Sequence, residues 1–60
     1  MKFKYLPDGT KFRITQDMEA GMDVVYVKAL EDGPYHNAVR TDNSSLAIRI
    51  DDNVRVVPIL

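Results

Sequence analysis

Residues 11–15, Lys-Phe-Arg-Ile-Thr, alternate polar and apolar. In an extended strand this puts Phe12 and Ile14 on one side and the polar residues on the other. Residues 46–50, Leu-Ala-Ile-Arg-Ile, repeat the pattern with Leu46, Ile48 and Ile50 directed inward. Two segments depart from it. Asp23-Val24-Val25-Tyr26-Val27-Lys28-Ala29-Leu30 is apolar on both faces, with Val25, Val27 and Ala29 on one and Val24, Tyr26 and Leu30 on the other. Residues 54–60 begin by alternating and then become apolar on both faces. Pro58 cannot donate to a ladder, so it belongs at a sheet edge or strand end. Residues 37–41 make a weaker strand, and residues 2–5 are a candidate for a short first one.

Turn residues separate these segments at intervals of about ten residues, the spacing of a small sandwich or barrel. Leu6-Pro7-Asp8-Gly9-Thr10 places proline where a turn needs its fixed φ, then Asp-Gly where a left-handed residue closes it. Further breaks fall at residues 16–22, at Glu31-Asp32-Gly33-Pro34, at Asp42-Asn43-Ser44-Ser45 and at Asp51-Asp52-Asn53. The one helical candidate is Asp17-Met18-Glu19-Ala20-Gly21, a single turn with Asp17 as N-cap and Gly21 as stop. The pattern predicts an all-β domain over residues 1–60. Its expected form is a small, strongly bent antiparallel sheet or SH3-like barrel of five to six short strands, with at most one helical turn near 17–21.

Length sharpens the question of the surplus apolar residues. A chain of 60 residues buries only about 60% of its unfolded surface and usually needs disulfides, a metal or oligomerisation. There is no cysteine, and with a single histidine, His36, a zinc site is not expected. Docking, on a second copy or another protein, is the support that remains. A homodimer is favoured, and the candidate interface residues are Val24, Tyr26, Leu30, Val57 and Ile59, joined by Met18 and Met22 beside the irregular loop. Methionines suit adaptable contacts, and tyrosine is enriched at interfaces.

Charge is nearly balanced, with 8 cations against 9 acids and a formal net charge of −1. The acids, from Asp8 to Asp52, fall in predicted turns or at strand ends, and the cations fall within predicted strands. A basic sheet face follows, with Arg13, Lys28, Arg40, Arg49 and Arg55 as candidates for a nucleotide or single-stranded nucleic acid. The simpler reading is that outward Lys and Arg block edge-to-edge pairing while Asp serves the turns. Overall acidity removes long-range steering toward polyanions, so a protein target is favoured.

No catalytic signature is present. His36 beside Tyr35 is the one arguable acid–base pair, and its place next to Gly33-Pro34 reads as a solvated loop. The acids Asp17, Glu19 and Asp23 lack calcium-loop spacing, and the isolated glycines form no phosphate cradle. The expectation is a non-enzymatic protein without cofactor or metal. No segment resembles a signal peptide or reaches the ~20 apolar residues of a membrane span, so the expected location is the cytosol.

Leu6-Pro7-Asp8-Gly9-Thr10-Lys11-Phe12, Val25-Tyr26-Val27-Lys28 and the closing Val56-Val57-Pro58-Ile59 together resemble a set of short β proteins of bacteriophages and mobile elements. That set shares a Leu-Pro-x-Gly-Thr/Ala-x-Phe opening, a Val-Tyr-Val-Lys strand and a Val-x-Pro-Val ending. The resemblance covers most of the chain, but its motifs are a turn and strands, so no functional residues carry over. It implies a small cytosolic accessory protein that binds and redirects or blocks a host component, host defence systems included.

Overall fold

A computed structural model describes residues 1–29, 36–43 and 45–59. Leu30, Tyr35, the expected turn at 31–34, Ser44 and Leu60 lie outside the described residues. The elements are a 3-10 helix Phe3–Tyr5, β1 Lys11–Ile14, α1 Thr15–Glu19, β2 Tyr26–Lys28, β3 Ala38–Arg40, β4 Ala47–Ile48 and β5 Val56–Pro58. The fold is all-β: five antiparallel strands form one open sheet in the order β4-β3-β2-β1-β5. Strands β1 to β4 run as a meander and β5 returns to the free side of β1. Among the described residues no ladder joins β4 to β5, so the sheet is not closed into a barrel.

The register decides which side of each strand is internal. Phe12 pairs with Tyr26 and Pro58, Ile14 with Val56, Lys28 with Ala38, and Ala38 with Ile48. These residues share one face, and the buried cluster is built on it from Phe12, Tyr26, Ala38, Val56, Ile50, Phe3 and Leu6, with Ile14, Val24, Ile48 and Val54 packed around them. Phe12 sits at the centre, edge-on to Phe3 at 5.4 Å and stacked on Tyr26 at 5.7 Å between centroids. Such aromatic pairs add to the area they bury.

Residues 2–5 do not form a strand. Lys2 makes an isolated bridge to Arg55, and the chain then tightens, with the Tyr5 N–H donating to the Lys2 carbonyl and the Leu6 N–H to the Phe3 carbonyl, both at 3.0 Å. Three residues per turn stack Phe3 over Leu6, which delivers both side chains to the core where a strand would have split them.

The helix starts early, its N-cap lying three residues before the expected Asp17. It grows directly out of β1, with Ile14 as an extended N-cap that makes no side-chain cap bond. Its end is as expected. Gly21 has φ 77, its N–H donates to Met18 at 3.1 Å, and the Met22 N–H donates to Asp17 at 2.9 Å. This is a Schellman ending, which needs a left-handed residue. Gly9, with φ 85, closes the Pro7–Thr10 turn in the same way, the Thr10 N–H reaching the Pro7 carbonyl at 3.2 Å.

Leu46 corrects the inward assignment along 46–50. Ile48 and Ile50 do pack inward, but Leu46 remains 44% exposed. Its N–H is tied to the Asn43 carbonyl at 3.0 Å, which holds it in the turn before β4 begins. Pro58 ends β5, an edge strand, as a residue without a ladder donor should.

Candidate interaction face and neighbouring clefts

The side of the sheet away from the core carries a strip of small aliphatic residues. Ala47 pairs with Val39, Val39 with Val27 and Val27 with Lys11, while Arg13 pairs with Val57 in the next row. Val25 precedes Val27 on the same face, and the Ile59 N–H bonds to the Lys11 carbonyl at 2.8 Å, placing Ile59 beside Lys11. None of these outward residues is buried. Val25, Val27 and Val39 are half-buried, Ala47 is exposed, and Val57 and Ile59 are 42% and 37% exposed.

Arg13 lies on this face in the row of Val57, at the border of the strip. Its guanidinium meets Asp23 at 2.9 Å, and its Nε is enclosed with no acceptor among the described residues. Asp23 is the more exposed partner, so the pair adds little stability. It does fix a cation at the border of the aliphatic strip.

The expected interface residues separate under this register. Tyr26 lies in the core, 9% exposed, and Val24 packs against the same cluster. Of the segment 23–30 only Tyr26–Lys28 is strand, and Leu30 lies outside the described residues; the surplus apolar face is the Val25–Val27–Ala29 side, opposite Tyr26. Val57 and Ile59 are on or beside that surplus face. Met18 is exposed on α1 and Met22 in the turn behind it, next to Asp23. Val27, Val39 and Ala47 belong to this face although no motif in the sequence marks them as site residues. Alternation placed Val27 correctly relative to Tyr26, but only pairing with Phe12 reveals which of the two faces inward.

The five candidate cations do not form one basic face. Lys28 points to the core side, where its Nζ donates to the Leu6 carbonyl at 2.7 Å and the Phe3 carbonyl at 3.2 Å and lies 4.7 Å from the Phe3 ring centre. It caps the 3-10 helix. Arg40 clamps Asp42 in a fork, Nε to Oδ1 at 3.0 Å and a terminal nitrogen to Oδ2 at 2.7 Å. That bond lowers the Asp42 carboxyl below its ordinary range and raises Arg40. Arg49 lines a cleft of about 440 Å³ with Lys4, Lys28, Asp8, Asp52 and the Phe3 ring. Arg55 lines another cleft, beside Gln16 and Glu19 of α1.

Burial raises the Tyr26 hydroxyl above its ordinary value, and nearby Asp17 adds to the effect. His36 is half-buried at the start of the described segment 36–43. Among the described residues no helix is long and apolar enough to cross a membrane, and no group of His, Cys, Asp and Glu gathers as a metal site. No family model, curated protein or solved structure matches this chain.

Proposed function

We propose that this chain is a non-enzymatic interaction protein that acts in the cytosol as a homodimer and docks its outer sheet face on a protein target. Its role would be that of the phage and mobile-element accessory proteins it resembles, among them inhibitors of host defence. The observation that carries the reading is the continuous strip Val25, Val27, Val39 and Ala47, half-buried or exposed on the side of the sheet opposite the core cluster. Contiguous apolar surface of this kind marks interaction sites on small soluble domains. Lys11 borders the strip, and Arg13 beside it is already paired with Asp23, so the matching surface is apolar at its centre with an acid opposite Lys11. A specific contact takes about 800 Å² from each partner, which a chain with 4244 Å² of accessible surface can supply.

The test is affinity capture from host cells with wild-type protein and with Val27→Lys, each checked for fold by circular dichroism. A protein retained by the wild type and lost with the folded variant supports the reading. Equal retention by both, or retention of nothing by either, overturns it.

The cleft at Lys4, Lys28 and Arg49 favours a second reading, a ligand-binding domain for nucleotides or single-stranded nucleic acid. Three cations line that cleft, although Asp8 and Asp52 share it and the Lys28 ammonium is held by the Phe3 and Leu6 carbonyls. Phosphate contacts release counterions, so such binding weakens steeply with salt. Titration with nucleotides and oligonucleotides at two salt concentrations decides it, and the absence of saturable binding in both rejects it.

A further inference from the structure

The two edges of the sheet are not equivalent. On β5 the Val56 N–H is already bonded to the Met1 carbonyl at 2.8 Å, and the Phe3 N–H takes the Val54 carbonyl at 2.8 Å. Val57 faces β1 through its pairing with Arg13, and Pro58 has no N–H at all. This edge therefore has no free donor along the strand. On β4 the opposite holds. Leu46, Ile48 and Ile50 direct their backbone groups to β3, as shown by Arg40 N–H to Leu46 at 3.2 Å, Asn37 N–H to Ile48 at 2.9 Å and Ile50 N–H to Asn37 Oδ1 at 2.8 Å. Backbone groups alternate in direction along a strand, so those of Ala47 and Arg49 point away from the sheet. Both residues are exposed, and no described residue bonds to that side of them.

We infer that two copies of the chain join edge to edge through β4, with the two-fold axis at Ile48; this rests on the homodimer reading and gives it a geometry. An antiparallel pair about that axis sets Ala47 opposite Arg49 of the second copy, and Arg49 opposite Ala47 of the second copy. Each N–H and C=O of the four residues then has a partner, so the outward groups of one edge complete those of the other. The register also keeps the two Arg49 side chains from facing each other directly, a position where like charges destabilise. Leu46, exposed in the single copy, comes opposite Ile50 of the second copy. The outer aliphatic strips of both copies stay open for a target.

The test reads molecular mass by sedimentation equilibrium over a dilution series for wild type, Ala47→Lys, Ala47→Glu and Val27→Lys. Ala47 is exposed in the single copy, so either charge at this position leaves the core intact. Edge pairing sets residue 47 opposite a cation, so Lys lowers the fraction of double-mass species and Glu raises it, while Val27→Lys leaves that fraction unchanged. Equal effects of Lys and Glu overturn the inference. A wild-type dimer that only Val27→Lys dissociates overturns it in favour of face-to-face packing and leaves the homodimer reading intact. A wild type of single mass at every concentration overturns both.

Discussion

Asn37 and Ile50 exchange a complete peptide-like pair of hydrogen bonds: the Asn37 Nδ2 donates to the Ile50 carbonyl at 2.9 Å, and its Oδ1 accepts from the Ile50 N–H at 2.8 Å. The Asn37 backbone N–H meanwhile donates to Ile48, the residue that the register sets across from Ala38. Asn37 and Ala38 thus oppose a single residue, as at a β-bulge, and the side-chain amide continues the ladder where the backbone has slipped out of step. Both Asn37 and Ile50 are buried.

Replacing Asn37 with Leu leaves a buried N–H and a buried C=O without partners. Each costs about 1–3 kcal/mol, so urea denaturation should show a loss of about 2–6 kcal/mol, a large part of the stability of so small a domain. Asn37→Asp keeps the acceptor, but when ionised it sets a carboxylate against the Ile50 carbonyl. Its deficit should therefore grow as pH rises through the range where that carboxyl ionises.

Neighbouring residues on β2 should respond in opposite ways to the same charge. Tyr26→Lys puts an ammonium against Phe12 in the core and should abolish cooperative unfolding. Val27→Lys projects outward and should keep the far-ultraviolet circular dichroism and cooperative unfolding, at a cost of about 1 kcal/mol because the new ammonium stands opposite Lys11. Similar behaviour of the two variants would contradict the register of β1 with β2.

Lys28 has a structural task that Arg49 does not share. Lys28→Met removes the ammonium that holds the Phe3 and Leu6 carbonyls and should cost about 1–2 kcal/mol, because bonds to charged donors exceed neutral ones and the site is partly solvated. Arg49→Met, at an exposed position, should cost less than about 0.5 kcal/mol. Thermal melts of the two variants compare them directly.

Alkaline pH tests the environment of Tyr26. Its hydroxyl titrates above the ordinary 10.0 because burial disfavours the phenolate. The folded chain therefore holds this proton more tightly than the unfolded chain. Stability from this source is fully present below pH 10.0 and is lost as pH rises through the folded value. Tyr26→Phe should flatten that alkaline loss in a series of melts, and phenolate absorbance should show Tyr26 ionising later than a free tyrosine.

Local chemistry made much of the fold legible. Period-two alternation located β1 and the Ile48 to Ile50 segment, and Pro58 marked an edge. Gly9 and Gly21 marked left-handed positions, because each of these signals acts within a few residues. The 3-10 helix escaped that reading, since Phe3 and Leu6 are drawn together by the core that forms only after β1, β2 and β5 assemble. Asn37 escaped it too, for an asparagine opening a weak strand over 37–41 shows no special role until Ile50 is brought to it.

The chain itself determined that residues 23–30 present apolar side chains on both faces, which follows from side-chain alternation alone. Which face is internal was decided only in the tertiary structure, when Phe12 met Tyr26 and closed that side. Shifting the register by one residue would exchange every side chain between faces, and register is set by contacts far apart in sequence. For the same reason the strand cations scattered to both faces, both clefts and the 3-10 cap: alternation assigns a side within one strand, and only pairing between strands makes those sides common.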